Sequence, residues 1–163
     1  VNDLVHLKKA VNRIHEDFGE PALVERFIDG VELSVGILNN EILPILEIDF
    51  STLPEELEKF YSFRVKTFYG DQTNYICPAR ISGEMKEKIE KFALKAFNSL
   101  GLKNYARMDL RVQGNDIFFL EVTSLPMLTP DYSDIVKMAS AAGYSYEDLI
   151  LKIMRGTLDA VNL

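Results

Sequence analysis

Two strand-like runs, YARMDLRV (105–112) and DIFFLEVTS (116–124), stand on either side of Gly114-Asn115 and constrain the fold more tightly than any other stretch. Such runs on both sides of a turn signal predict two antiparallel strands. In the first run Met108, Leu110 and Val112 make the apolar face, which leaves Arg107, Asp109 and Arg111 on the other. Glu121 lies in the returning run, embedded in FFLEV. A two-residue loop would pair Gln113 with Asp116 and put Glu121 opposite Met108, on the wrong face. A three-residue loop, Gly114 to Asp116, puts Glu121 across from Asp109 and Thr123 across from Arg107. The three-residue loop is the expectation.

Two carboxylates opposed on one sheet face repel unless a cation, a proton or an arginine lies between them. Magnesium is an economical answer, because it accepts a few carboxylates and keeps its other positions for water and substrate phosphates. The alternative is that Arg107 and Arg111 simply neutralise two surface acids. From spacing alone the two readings stand level.

Elsewhere the periods are clear except over one segment. Leu7, Val11, Ile14 and Phe18 predict a first helix ending at Gly19. After Pro21, ALVERFI (22–28) reads as a short apolar strand, and VELSVGIL (31–38) alternates Leu33, Val35 and Ile37 against Glu32, Ser34 and Gly36. Asn39-Asn40 favours positive φ and leads into EILPILEIDF (41–50) as a hairpin, with Pro44 marking an edge or an irregularity. Residues 51–80 are the least regular, and a long functional loop is expected around Phe60 to Asp71. Met85, Ile89, Phe92, Ala93, Ala96, Phe97 and Leu100 predict a helix over 83–100, capped by Ser82 and ended by Gly101. Pro126 and Pro130 bound a loop, and a last helix follows Ser145, whose spacing to Asp148 resembles a capping box. These elements predict a single α+β domain over 1–163, an antiparallel sheet covered by helices.

Composition excludes several classes. With 47% apolar residues the chain has ample core, and a formal charge of -7 argues against non-specific nucleic-acid binding. The single cysteine, Cys77, excludes an internal disulfide framework and a cysteine-ligated zinc site. It reads as a small buried residue, and His6 and His15 as solvated surface. No apolar stretch approaches the roughly 20 residues that cross a bilayer, so no membrane segment is expected and the cytoplasm is the default compartment. The chain opens without Met directly into a helical pattern, and is expected to be part of something longer.

At the carboxylate pair the sequence resembles the ATP-grasp superfamily and, within it, the D-alanine–D-alanine ligase family. The segments that carry the likeness are VERFIDGVELSV (24–35), EILPILEI (41–48), FYSFRVK (60–66), the CPA of Cys77 to Ala79, YARMDL (105–110) and FFLEVTSLPMLTP (118–130), followed by an A-x-x-x-G-Y-S-Y-E-D-L tail. They occur in the family's order over almost the whole chain.

The resemblance implies a C-terminal ATP-grasp portion, with the glycine-rich phosphate loop and the N-terminal substrate domain lying before this chain. The chain on its own is therefore expected to be inactive. It also implies an ATP- and magnesium- (or manganese-) dependent carboxylate–amine ligase. Such an enzyme forms a D-alanyl-D-alanine-type dipeptide through an acyl phosphate, for peptidoglycan precursors, from small amino-acid substrates. Homodimerisation of the full-length protein stays open. Other readings are an ATP-grasp ligase with a different amino-acid acceptor, and a non-catalytic nucleotide-binding homologue.

Residue by residue, Glu25, Arg26, Phe27 and Ile28 match the segment that receives adenine, and Glu32 matches the acid that holds the ribose hydroxyls. Lys66 matches a mobile-loop lysine that reaches the phosphates, with Phe60 and Tyr61 on the same loop. Asp109 and Glu121 match the metal carboxylates, and Arg107 the arginine that steadies the oxyanion of the tetrahedral intermediate. Three positions depart from the family's pattern. Thr123 stands where an asparagine metal ligand is usual, Met127 where a glycine gives a backbone amide access to the reacting oxygen, and Ser133 is only a rough counterpart of a serine that contacts the second substrate.

Overall fold

A computed structural model describes residues 1–161. Its frame is a six-stranded antiparallel sheet in the order β4-β3-β1-β5-β6, with β2 paired to β1. The strands are β1 (Val31–Leu38), β2 (Glu41–Ile42), β3 (Leu46–Asp49), β4 (Asn74–Ile76), β5 (Tyr105–Gln113) and β6 (Asp116–Thr123). Five α-helices accompany them: α1 (Leu4–Phe18), α2 (Phe63–Phe68), α3 (Gly83–Ser99), α4 (Asp134–Ala141) and α5 (Tyr146–Val161). The α+β class, an antiparallel sheet covered by helices, is as expected.

The hairpin after β1 turns through Asn39 (φ +50) and Asn40 (φ +65), a pair of positive φ values that fits a type I′ turn. Its second arm is broken at Pro44, which has no N–H for a ladder. The short β2 therefore precedes the break, and β3 resumes along β1 with Glu32 opposite Ile48. ALVERFI differs from its prediction: residues 22–28 form no strand, and the Ile28 carbonyl is held by the Arg111 side chain instead. The expected long loop is also more ordered than its composition suggests. It folds into α2, capped where Ser62 accepts from the Val65 N–H, and a 3₁₀ turn over Gly70–Gln72. Ile48, Phe50, Leu53, Leu57 and Val65 form a small core beneath it.

The sheet buries its two faces differently. On one, Leu33, Val35 and Ile37 of β1 and Ala106, Met108 and Leu110 of β5 pack against Met85, Ile89, Ala93 and Phe97 of α3. Ser82 caps that helix by accepting from the Met85 N–H, and Gly101 follows at φ +65. On the other face α4 and α5 cover only one end, where Ile135, Val136, Met138, Ala139 and Leu149 meet Leu38, Leu43 and Leu46. Ser145 and Asp148 close the expected capping box, each backbone N–H donating to the other's side chain. Pro126 and Pro130 predict a loop and no element is predicted over 131–144, so α4 was missed, although Ile135, Met138, Ala139 and Ala142 stand at helical spacing.

Gly36 explains how closely α4 approaches. A Cβ there would lie 2.9 Å from Met138 Sδ and 3.2 Å from Leu43 Cδ1, so only glycine lets the helix seat on β1. The first helix contributes no buried residue, although Gly19 ends it at φ +67 as its sequence predicts.

Candidate active site

The part of the second sheet face that α4 leaves open carries Glu32 and Ser34 from β1 and Arg107, Asp109 and Arg111 from β5. It forms the floor of an open cleft of about 650 Å³. The segment 25–28, the loop at Phe60 and Tyr61, α2, the far part of β6 and the start of α4 make the walls. The cleft lies on the strand faces that alternate as charged in the sequence, because the opposite face is committed to α3.

The carboxylate pair forms by a route other than the expected one. Gln113 pairs with Asp116 across the two-residue turn, with Gly114 at φ +61, as a type II′ hairpin requires. That register alone would put Glu121 opposite Met108. A β-bulge intervenes: Leu110 pairs with Phe119 while Asp109 pairs with Glu121, so Leu120 is the extra residue. The three-residue loop is thus wrong, yet Glu121 opposes Asp109 and Thr123 opposes Arg107. The unalternating run Ile117-Phe118-Phe119-Leu120 was the available sign that the ladder would slip.

Arg107 lies between the carboxylates. Its Nε and Nη2 donate to Asp109 at 3.0 and 2.8 Å, and its guanidinium comes within 3.8 Å of Glu121 and 3.6 Å of Asp134. Burial alone would lower its pKa. The hydrogen bonds to Asp109 and the charges of Asp109, Asp134 and Glu121 outweigh that and hold it above the ordinary arginine value. Asp109 also accepts from the buried Ser34 hydroxyl at 2.5 Å.

Four residues further along β5, Arg111 makes the other end of the cleft. Its guanidinium donates to Glu32 Oε2 at 2.7 Å, to the Ile28 carbonyl at 2.6 Å and to the Lys59 carbonyl at 3.0 Å, and lies 4.9 Å from the Phe27 ring centre. The segment 25–28 therefore hangs on a side chain instead of a ladder, and its other backbone groups stay free to meet a ligand. Both donors from Arg111 to Glu32 go to Oε2, so Oε1 faces the cleft with no protein donor among the described residues. Phe27 and Phe60 stack at 5.6 Å, and Arg26 lies over the Phe118 ring at 5.5 Å.

The structure brings together Glu25, Arg26, Phe27, Ile28, Glu32, Phe60, Tyr61, Lys66, Arg107, Asp109, Glu121, Met127 and Ser133 around this cleft. Thr123 faces Arg107 across the ladder but is not part of the cleft wall. The Ser133 hydroxyl is already used, accepting from the Thr129 N–H at 2.9 Å. Lys66 on α2 lies 5.6 Å from the Tyr61 ring centre. Tyr61 in turn hydrogen-bonds Tyr75 through their hydroxyls at 2.6 Å. Burial, above all, raises both phenol pKa values, so the pair stays neutral.

Sequence reasoning missed Ser34, Arg111, Tyr132 and Asp134 as members of this site. Arg111 was visible as a charge on the correct strand face. Asp134 depends on α4, for which the spacing of Ile135, Met138 and Ala139 was the available signal.

Arg107 already lies between the two opposed carboxylates and donates to Asp109, the neutralised arrangement that spacing alone left open, so a divalent ion would have to share or displace that guanidinium. No cluster of three His, Cys, Asp or Glu residues that could hold one is found among the described residues. An ion here would complete its shell with water and ligand oxygens, as magnesium does.

A family model described as D-ala D-ala ligase C-terminus matches residues 1–155. The chain belongs to this family. The D-alanine–D-alanine ligase of Mannheimia succiniciproducens is 34% identical over 157 residues, covering 94% of this chain and 48% of that protein. That of Desulforudis audaxviator is 36% identical over 140 residues, 84% of this chain and 43% of that protein. Among solved structures, the D-alanine–D-alanine ligase of Bacillus anthracis complexed with ATP superposes with a TM-score of 0.78 at 25% identity, over 98% of this chain and 48% of that one. The Coxiella burnetii ligase, at 20% identity and a TM-score of 0.76, supports the same fold. The chain spans about half the length of the curated relatives it matches. The ATP-grasp ligase family read from the sequence is thereby established. No described helix is long and apolar enough to cross a membrane.

Proposed function

We propose that this chain is the C-terminal ATP-grasp part of a ligase that joins two small amino acids, of the D-alanyl-D-alanine type, for peptidoglycan precursors in the cytoplasm. The remaining phosphate-binding loop and the N-terminal substrate domain would come from the rest of the protein. The observation that carries the reading is the opposed pair Asp109 and Glu121 on the cleft floor with Arg107 between them. Family membership and the ATP-bound Bacillus anthracis relative support ATP as the phosphoryl donor.

In the proposed reaction a donor carboxylate takes the γ-phosphoryl of ATP, and an amine then displaces phosphate from the acyl phosphate. Both steps gather negative charge on oxygen, so fixed cations aimed there lower the barrier. Magnesium held by Asp109 and Glu121, with Thr123 adding at most a weak hydroxyl from the flank, would neutralise charge at the transferring phosphoryl. Arg107 steadies the oxyanion of the tetrahedral intermediate, and Lys66 reaches the phosphates from α2. The backbone groups of Glu25–Ile28 other than the Ile28 carbonyl receive adenine, and Glu32 Oε1 accepts from the ribose hydroxyls. Met127 and Ser133 border the amino-acid end, with Phe60 and Tyr61 part of a cover that keeps water from the acyl phosphate.

The test is ADP release by the full-length protein with ATP, magnesium and a panel of D- and L-amino acids. Turnover with D-alanine supports the reading. No turnover with any pair, in a protein that still binds ATP by calorimetry, would sink it in favour of a non-catalytic homologue.

A further inference from the structure

At the Arg107 end of the cleft one acid is held only by long ion pairs. Asp134, in the first turn of α4, has a side chain only 13% exposed and lines the cleft. Its nearest cationic partners are distant for charge-assisted bonds: Arg107 Nη1 at 3.6 Å and Lys137 Nζ at 3.4 Å. Arg107 is also held by Asp109 at 2.8 Å. Lys137 also donates to the Tyr132 carbonyl and lies 4.2 Å from the Tyr75 ring centre. Both cations are thus shared, and the Asp134 carboxylate keeps acceptor capacity on its cleft side. An ammonium, with three donors, can use it.

We infer that Asp134 binds the ammonium group of the acceptor substrate and so positions it for attack. The inference rests on the ligase reading above. An ammonium bound to Asp134 sits beside Arg107, which faces the carbonyl oxygen of the acyl phosphate in that reading, and this is the juxtaposition that attack requires. In the step, the N–C bond forms and the C–O bond to phosphate breaks, its electron pair leaving with phosphate. Of the three ammonium protons one stays on the amide, one leaves on hydrogen phosphate and one passes to solvent. The groups facing Asp134 are Arg107 from β5, Lys137 and Tyr132 from its own segment, and Tyr61 and Tyr75, both neutral, from the loop and β4.

The experiment lets hydroxylamine, whose nitrogen is neutral at neutral pH, compete with the amino-acid acceptor for the acyl phosphate made by the full-length protein. The ratio of dipeptide to hydroxamate is read by mass spectrometry. In Asp134→Asn the ratio should fall about ten-fold or more, the cost of leaving a buried charge unpaired. It should recover as pH rises and the acceptor deprotonates, and Asp134→Glu should retain part of the wild-type ratio. An unchanged ratio, or equal loss of both products at every pH, overturns the role of Asp134 while leaving the ligase intact. No hydroxamate from the wild type with any donor overturns the ligase reading, and this inference with it.

Discussion

Arg107 and Arg111 are the same residue type on the same face of one strand, about 13 Å apart by the rise of an extended chain, yet they end in different states. The Arg111 side chain is 4% exposed and saturated, with Glu32, two backbone carbonyls and an aromatic face around it. The Arg107 side chain is 20% exposed and has three carboxylates at 2.8, 3.6 and 3.8 Å. The difference lies in what each arginine can close on. Segments 25–28 and 59–60 fold over Arg111 with neutral carbonyls, so it becomes a structural clamp. Near Arg107 the α4 N-terminus and the β6 bulge bring acids, and the cleft stays open for charged ligands. Burial with complete partners makes scaffold, and burial with excess like charge makes a site.

The sharpest way to break this contrast is Asp109→Asn in the full-length protein. Metal-dependent ADP release should fall about a thousand-fold with the fold retained by circular dichroism; retained turnover would remove the role given to the pair. Arg111→Met should act first on stability and, through the 25–28 segment and Glu32 that it holds, weaken ATP binding as well. Leaving Glu32 without its partner costs about 3–5 kcal/mol, read as a lower urea midpoint, and a variant with wild-type stability but impaired turnover would reverse the two assignments. Gly36→Ala tests the seat of α4 beside Arg107, where the new methyl must push Met138 or Leu43 aside. About 1–3 kcal/mol of destabilisation is expected, with amino-acid KM affected more than in any substitution near Arg111.

The smallest effect is expected away from both ends, on β3. There the hydrogen bond from Arg80, opposed by burial, holds the Glu47 carboxyl below its ordinary value. A lowered folded-state pKa stabilises above the unfolded value and loses that contribution as pH falls through the folded one. Thermal melts of Arg80→Met should therefore fall less steeply than wild type on the acid side, and parallel curves would contradict the pairing.

Much of the site was legible because it depends on local order. Asp109 and Arg111 appear as charges on one side of an alternating strand, and Glu32 and Ser34 as the polar side of another. What failed depended on neighbours. ALVERFI has a strand's composition but forms none, and Arg111 holds its Ile28 carbonyl. The short apolar stripe of α4, Ile135, Met138 and Ala139, was not read as a helix, so Asp134 went unseen. The opposition of Asp109 and Glu121 was expected from a three-residue turn and arises from a two-residue turn with a bulge at Leu120.

By itself the sequence determined the alternating strands, the α3 stripe with its Ser82 cap, the Ser145–Asp148 capping box and the family motifs, since each depends on residues a few positions apart. Only the tertiary structure decided which arginine became clamp and which became site, and how Glu121 came to face Asp109. Those outcomes depend on ladder register and on segments far apart in the chain meeting one face of the sheet, and local spacing carries no information about either.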